Sequence, residues 1–245
     1  ASVAALAVFA SSAQDFSNLT TQRLITGYAY SEAPVWSRDG FFLWADVPEQ
    51  KIWKWIPGGQ PSLFREMSNK AIGAAYDADG NLYLCESASG RLIRIAAKGG
   101  ATAVVASQWQ GKRLNSPNAV VVRKDGHIYF TDPAFGSLTS KRELDFYGVY
   151  HASPEKGGQW PLEVVARPKG RPNGIALSPN GRTLYVANSD EHANYAYDLS
   201  NKGEAANERV LIAKIPGVPG GIATDEKGNL YVAARGVLIY SPEGK

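Results

Sequence analysis

Residues 115–136, NSPNAVVVRKDGHIYFTDPAFG, decide how the rest of this chain is read. A polar turn, Ser116-Pro117-Asn118, leads into a short apolar run, a charged turn at Lys124-Asp125-Gly126 and a second apolar run that stops at Asp132-Pro133. β-Branched and aromatic runs on either side of a turn ending in glycine predict a β-hairpin, because glycine accepts the positive φ that such turns demand.

The same grammar recurs outward in both directions. Residues 36–55 (WSRDGFFLWADVPEQKIWKW), 76–95 (YDADGNLYLCESASGRLIRI), 122–150, 177–197 (LSPNGRTLYVANSDEHANYAY) and 224–240 (TDEKGNLYVAARGVLIY) each hold a glycine-ended turn, an apolar strand, a polar break and a further strand. The marker glycines, Gly40, Gly80, Gly126, Gly181 and Gly228, stand about 40 to 55 residues apart. Several strands per period of that size predict an all-β propeller. No window sustains a 3.6-residue apolar period with caps, so helices should be scarce. The Pro/Gly-rich joints at 57–59, 98–100, 157–158 and 216–221 are too short to separate domains and read as outer or inter-blade turns. A single blade cannot bury both its faces, so the units pack radially and the loops at one mouth converge on the axis.

Composition narrows the function classes. The chain has 245 residues, 44% hydrophobic and 20% charged, with a net charge of +3 and no basic run, so a nucleic-acid partner is not expected. The single cysteine, Cys85, excludes an intrachain disulfide and, inside Leu82-Tyr83-Leu84-Cys85, reads as a buried strand thiol. The opening ASVAALAVFASSAQ is too short to span a bilayer and suits the tail of a secretory signal. Residues 1–13 are therefore read as a signal remnant, residues 14–245 as one propeller domain, and the protein as exported, to the periplasm or beyond. The alternative is an intracellular protein with an apolar N-terminus.

Four polar turns fall at one place in the repeat: Ser31-Glu32-Ala33-Pro34, Ser116-Pro117-Asn118, Arg171-Pro172-Asn173-Gly174 and Val218-Pro219-Gly220-Gly221. If that place faces the channel, Glu32, Asn118 and Asn173 converge from three blades as a hard, all-oxygen set suited to Ca²⁺ or Mg²⁺. Pro-Asn and Asn-Gly are equally ordinary turn chemistry, since asparagine tolerates the left-handed region and caps its own backbone. His127, His151 and His192 lie in unrelated contexts and read as surface or strand-end residues. Trp36, Trp44, Trp53 and Trp55 alternate as blade-packing residues do, with sugar stacking by Trp53-Lys54-Trp55 as the other reading. Residues 141–145 (KRELD) form a charge cluster, either solvated or a lid over the channel mouth.

From Glu32 to the last residue, SEAPVW, WADVPEQKIWKW, KRLNSPNAVVVRKDGHIYFTDPAFG, RPNGIALSPNGRTLYVANSD and DEKGNLYVA resemble the senescence marker protein/gluconolactonase/luciferin-regenerating enzyme-like family. The resemblance implies a six-bladed propeller, here truncated after the fifth blade, closed through residues 23–30. It also implies hydrolysis of sugar lactones or related esters around one divalent cation, Ca²⁺ foremost, with Mg²⁺ or Zn²⁺ as the other candidates. By that resemblance Glu32, Asn118 and Asn173 would be metal ligands, Glu32 and Asp132 catalytic, and Asn118 and Arg113 substrate contacts.

The departures from the family pattern sit in the site. The family's Pro-Asp-Gly is here Pro219-Gly220-Gly221, its Asn-Asp pair is Asn118-Ala119, and its Asn-Gly-Asn loop is Ile72-Gly73-Ala74. Three readings stay open: a metal-dependent lactonase, a propeller that has lost catalysis and binds a small ligand or partner, and a relative's chemistry of the arylesterase or strictosidine-synthase kind.

Overall fold

The structure is a computed structural model that describes residue 16, residues 23–98 and residues 100–245. The signal remnant at 1–13 lies outside the described residues. The described residues form five antiparallel sheets of three or four consecutive strands, with one further two-stranded hairpin. The first holds β1 (Ser31–Ser37), β2 (Phe41–Asp46), β3 (Lys51–Trp55) and β4 (Ser62–Arg65). The second holds β5 (Ala71–Tyr76), β6 (Leu82–Glu86), β7 (Arg91–Ile95) and β8 (Thr102–Ala106). A small hairpin, β9 (Gln108–Trp109) and β10 (Lys112–Arg113), leads into the third sheet, β11 (Val120–Val122), β12 (Ile128–Asp132), β13 (Gly148–Ala152) and β14 (Leu162–Ala166). The fourth holds β15 (Pro172–Leu177), β16 (Thr183–Asn188), β17 (Ala193–Leu199) and β18 (Ala205–Ile212), and the fifth β19 (Ile222–Thr224), β20 (Leu230–Ala234) and β21 (Gly236–Tyr240). The first strand of each sheet packs against the first strand of the next, β1 on β5, β5 on β11, β11 on β15 and β15 on β19. That is a propeller arrangement of five blades.

The hairpin expected from 115–136 is present, with Val120 opposite Phe130 and Val122 opposite Ile128. All five marker glycines stand at positive φ, between 65° and 88°. Between blades the core is apolar. Cys85, Leu92, Ile128, Phe130 and Tyr150 pack fully buried between the second and third sheets, and Leu43, Ala45, Leu84 and Ile93 between the first and second. Cys85 is thus the strand thiol the sequence suggests, and its burial pushes the thiol pKa up. Trp44 is buried, whereas Trp36 is half exposed.

One reading is corrected. His127 and His151 are not surface residues: both are buried, and His127 Nδ1 and His151 Nε2 share a hydrogen bond of 2.7 Å. They come together because β12 and β13 are adjacent and Gly203, from the fourth blade, offers backbone where a side chain would collide with both rings. Residues 23–30 carry no strand. Instead, the Asp46 carboxylate accepts from the Ala29 and Tyr30 backbone N–H groups, and Tyr28 stacks edge-on against Trp44 and Trp53 of the first blade. Among the described residues the only helix is a 3₁₀ turn, Gly136–Lys141, and none is long and apolar enough to cross a membrane.

Near the axis the blades touch backbone to backbone. A Cβ on Gly174 would lie 2.3 Å from the Gly220 carbonyl oxygen, which its own N–H bonds at 3.0 Å. Gly174→Ala is therefore expected to cost roughly 1–3 kcal/mol through overpacking, lowering Tm by about 2–4 °C per kcal/mol in a chain of this size. Thermal unfolding followed by circular dichroism checks it; an unchanged Tm would show that the axis is loosely packed.

Candidate active site

The polar segments at 31–34 and 172–174 are not free turns. They are the first residues of β1 and β15, and three inner strands, β1, β5 and β15, are bulged at their starts: the register slips between Glu32 and Val35, between Ala71 and Gly73, and between Pro172 and Ile175. A bulge leaves a residue out of the ladder and re-aims its side chain. In β1 the distortion rests on Ala33, which holds φ at 53°, a region that L-residues with a Cβ seldom occupy. Nothing in the residue types signals it.

The re-aimed side chains meet. Two adjoining cavities on the axis, of about 150 and 610 Å³, share Glu32, Ile72, Asn118, Asn173 and Gly221 in their walls. The larger one opens between Tyr30, Lys70, Gly220 and the 3₁₀ segment that ends in Lys141. The charge cluster after residue 140 thus begins at the channel mouth.

Glu32 is the single carboxylate in these walls. Burial raises its pKa, and a hydrogen bond from Tyr30 acts against that rise. The same bond, with burial and the Glu32 charge, pushes the Tyr30 phenol up to about 12, so its proton stays on and is donated to Glu32. Asn173 is oriented by its neighbour. Ser189 Oγ donates to the Pro219 carbonyl at 2.8 Å, so it must accept from Asn173 Nδ2 at 3.0 Å. The nitrogen of that amide is thereby fixed towards Ser189, and the carbonyl oxygen is the atom left for a ligand.

A residue the sequence reading passed over ties the two asparagines together. Thr131, fully buried, accepts the Asn118 N–H on its main-chain carbonyl and the Ala119 N–H on its hydroxyl, and that hydroxyl donates to the Asn173 main-chain carbonyl at 2.7 Å. Its place in YFTD, an apolar strand, gives no sign of a bridge across 42 residues.

Asp132 and Arg113 do not reach the cavity. Asp132 is fully buried, its two oxygens accepting the backbone N–H groups of Asn115 and Ser116 at 2.8 and 2.7 Å, so it clamps the turn that carries Asn118. Arg113 directs its guanidinium to the carbonyls of Ala88, Leu114 and Asn115, sewing the second blade to the third. Both candidates therefore shape the site from behind it. A catalytic carboxylate needs an open face, which the buried Asp132 lacks, and the Arg113 guanidinium is already committed to three main-chain carbonyls.

Burial raises the Asp132 pKa to about 7, although both backbone hydrogen bonds pull it down. A carboxyl whose folded pKa lies above its unfolded value of 3.8 binds a proton on folding. Its contribution is complete below pH 4 and is lost as pH rises towards 7. Asp132→Asn is accordingly expected to flatten the fall in stability between about pH 4 and pH 7. Urea midpoints at a series of pH values measure this, and a slope equal to the parent's would place the Asp132 proton elsewhere.

Could the walls hold a dication? Glu32, Asn173 Oδ1 and Asn118 are hard oxygen donors, the kind such ions take. In kind they fit, but they bring one formal charge. Among the described residues no group of three or more His, Cys, Asp or Glu side chains gathers at one point. At Gly220 there is room for more: a Cβ would sit 4.0 Å from Asn173 Nδ2 and 3.7 Å from the Ala233 carbonyl, an ordinary contact.

Residues 30–245 match the family described as SMP-30/Gluconolactonase/LRE-like region. The chain belongs to that family. Within and around it, a gluconolactonase of Zymomonas mobilis is 32% identical over 247 residues, covering 88% of this chain and 68% of its own length. The solved structure of a gluconolactonase from Xanthomonas campestris superposes with a TM-score of 0.80 at 29% identity, over 89% of this chain and 74% of that one. The strictosidine synthase-like protein 13 of Arabidopsis thaliana is 26% identical over 212 residues, which span 81% of this chain but only 47% of the plant protein. The family's fold and its gluconolactonase members thus fit an all-β chain with an axial, polar-walled cavity.

Proposed function

We propose that this protein hydrolyses a sugar lactone or a related ester in the axial cavity. The observation that carries this reading is the convergence of Glu32, Asn118 and Asn173 from three separate blades on one cavity, with the Asn173 amide nitrogen held by Ser189. The likeness to gluconolactonases gives the reaction class.

Lactone opening needs water to attack the ring carbonyl and a base to take its proton. Glu32 supplies that base: it is the carboxylate in the walls, and burial raises its pKa above the ordinary carboxylate value, which strengthens it as a proton acceptor. The Tyr30 hydroxyl holds it in place. Asn118 and Asn173 orient the substrate's oxygens, and the apolar Ile72 and Ala74 strip water from the rest of the ring. A divalent cation, calcium first among the candidates, would be held by Glu32, Asn118 and Asn173, and when bound would polarise the carbonyl.

A second reading is a propeller that binds a ligand without turning it over. Ile72, Ala74, Ala119 and Gly220 support it, since none offers a side-chain oxygen to the cavity. Calorimetric titration of the chain with calcium, followed by a pH-stat assay on glucono-1,5-lactone with and without the ion, tests both. Turnover above buffer establishes hydrolysis, and turnover that requires calcium establishes the metal. Neither binding nor turnover at millimolar calcium leaves the binding module.

A further inference from the structure

The cations around the cavity fall into two groups. The arginines are engaged: Arg171 pairs with Asp190 and lies over the Phe135 ring, Arg142 bonds the Leu144 carbonyl and covers Tyr147, and Arg113 is held by three carbonyls. Lys70 and Lys141 are not. Both line the larger cavity, both are exposed, and neither side chain takes part in any hydrogen bond or ion pair found for the described residues. Against them stands one carboxylate, Glu32, so the walls carry a net positive charge without any bound ion.

Lys70 is also held in an unusual way. It has φ at 54°, and Met67 and Asn69 just before it have φ of 50° and 51°. Three left-handed non-glycine residues within four positions are costly, on the order of 1–3 kcal/mol each, and persist only where the surroundings impose them. Here Ser68 is fully buried and gives its N–H to the Gln50 carbonyl, Asn69 accepts from the Ala88 N–H, and the chain is thereby fixed so that Lys70 faces the mouth. Lys141, the last residue of the 3₁₀ segment, lines the same cavity.

We infer that the cavity selects an anionic ligand: a sugar lactone that bears a carboxylate or phosphate away from the ring carbonyl, with Lys70 and Lys141 as its specificity-determining residues. The inference rests on the lactone-hydrolase reading for the ring, and on the two unpaired lysines for the charge. An ammonium on a flexible stem meets either anion as a point charge, so the shared chemistry is the negative substituent, not its geometry.

The test compares three substrates in the pH-stat assay: uncharged glucono-1,5-lactone, glucaro-1,4-lactone with its carboxylate, and 6-phosphoglucono-1,5-lactone. The parent is expected to favour one or both charged lactones in kcat/KM, with the better of the two identifying the anion. Lys70→Gln and Lys141→Gln should each cut the charged-to-uncharged ratio about tenfold, which is ~1.4 kcal/mol. Lys70→Arg and Lys141→Arg should restore most of it, and the preference should shrink as salt screens the exposed lysines. In parallel, calorimetry with glucarate and 6-phosphogluconate reads anion binding without any hydrolysis. Hydrolysis of all three lactones at one rate, or a preference that survives in the double Gln variant, overturns the inference and leaves the hydrolase. Lysine-dependent anion binding without turnover of any lactone overturns the hydrolase and leaves an anion-selective cavity. Absence of both overturns the inference outright.

Discussion

Glu32→Gln is expected to lower kcat/KM for lactone hydrolysis by about 10²–10⁴-fold, the typical worth of a positioned general base. The substitution keeps the size and shape of the side chain, and an amide oxygen can still accept the Tyr30 proton, so the bulged start of β1 has no reason to rearrange. What is lost is basicity and the cavity's one negative charge. The fall should lie in kcat if Glu32 takes the proton from water, and calcium affinity should fall with it if Glu32 also anchors the ion. Steady-state kinetics with calcium calorimetry on the same preparation separates these outcomes. A variant as active as its parent would remove Glu32 from the chemistry. Because Asp132 is buried behind the walls, the other residue proposed for catalysis could not then take over its task.

The blades were legible because their signals are local. A turn glycine needs positive φ whatever surrounds it, and Gly40, Gly80, Gly126, Gly181 and Gly228 all have it. The convergence of Glu32, Asn118 and Asn173 was legible as a position in the repeat, since equivalent places in successive blades must face the same axis. The rest depends on contacts between segments far apart in the chain. Thr131 bridges to Asn173 across 42 residues, His127 meets His151 across 24, and Arg113 reaches back 25 residues to Ala88. No period or propensity encodes such pairs. Asp132 was given a catalytic role by the family resemblance, whereas Asp before Pro as a strand-ending turn is what the structure shows, its carboxylate clamping the Asn115–Ser116 turn. Lys70 was invisible because its direction comes from left-handed backbone that lysine does not favour.

Gly220→Asp is expected to strengthen calcium binding by one or more orders of magnitude, on the scale by which ligand charge and rigidity separate the classes of calcium sites. The backbone admits the side chain: Gly220 does not sit in the left-handed region, its N–H still reaches the Ala233 carbonyl at 2.7 Å, and the new Cβ meets nothing closer than 3.7 Å. The carboxylate would start beside the Asn173 amide, in the wall of the cavity that Glu32 also lines. Gly220→Asn, equal in shape but uncharged, isolates the charge from the added oxygen. If calcium binds between Glu32 and Asn173, the Asp variant gains affinity, the Asn variant gains little, and Glu32→Gln in the Asp background loses most of what was gained. Equal affinity in all three would show that no dication sits there, and the missing oxygens at Ile72, Ala74 and Ala119 would then mark a cavity built to hold a ligand without an ion. Hydrolysis decides what the charge does for the reaction. A rate that climbs with calcium affinity makes the ion the limiting part of the parent site. A rate that falls while calcium affinity rises makes Gly220 a substitution that frees Glu32 to act as the base, and the second carboxylate a competitor for the lactone's own negative charge beside Lys70 and Lys141.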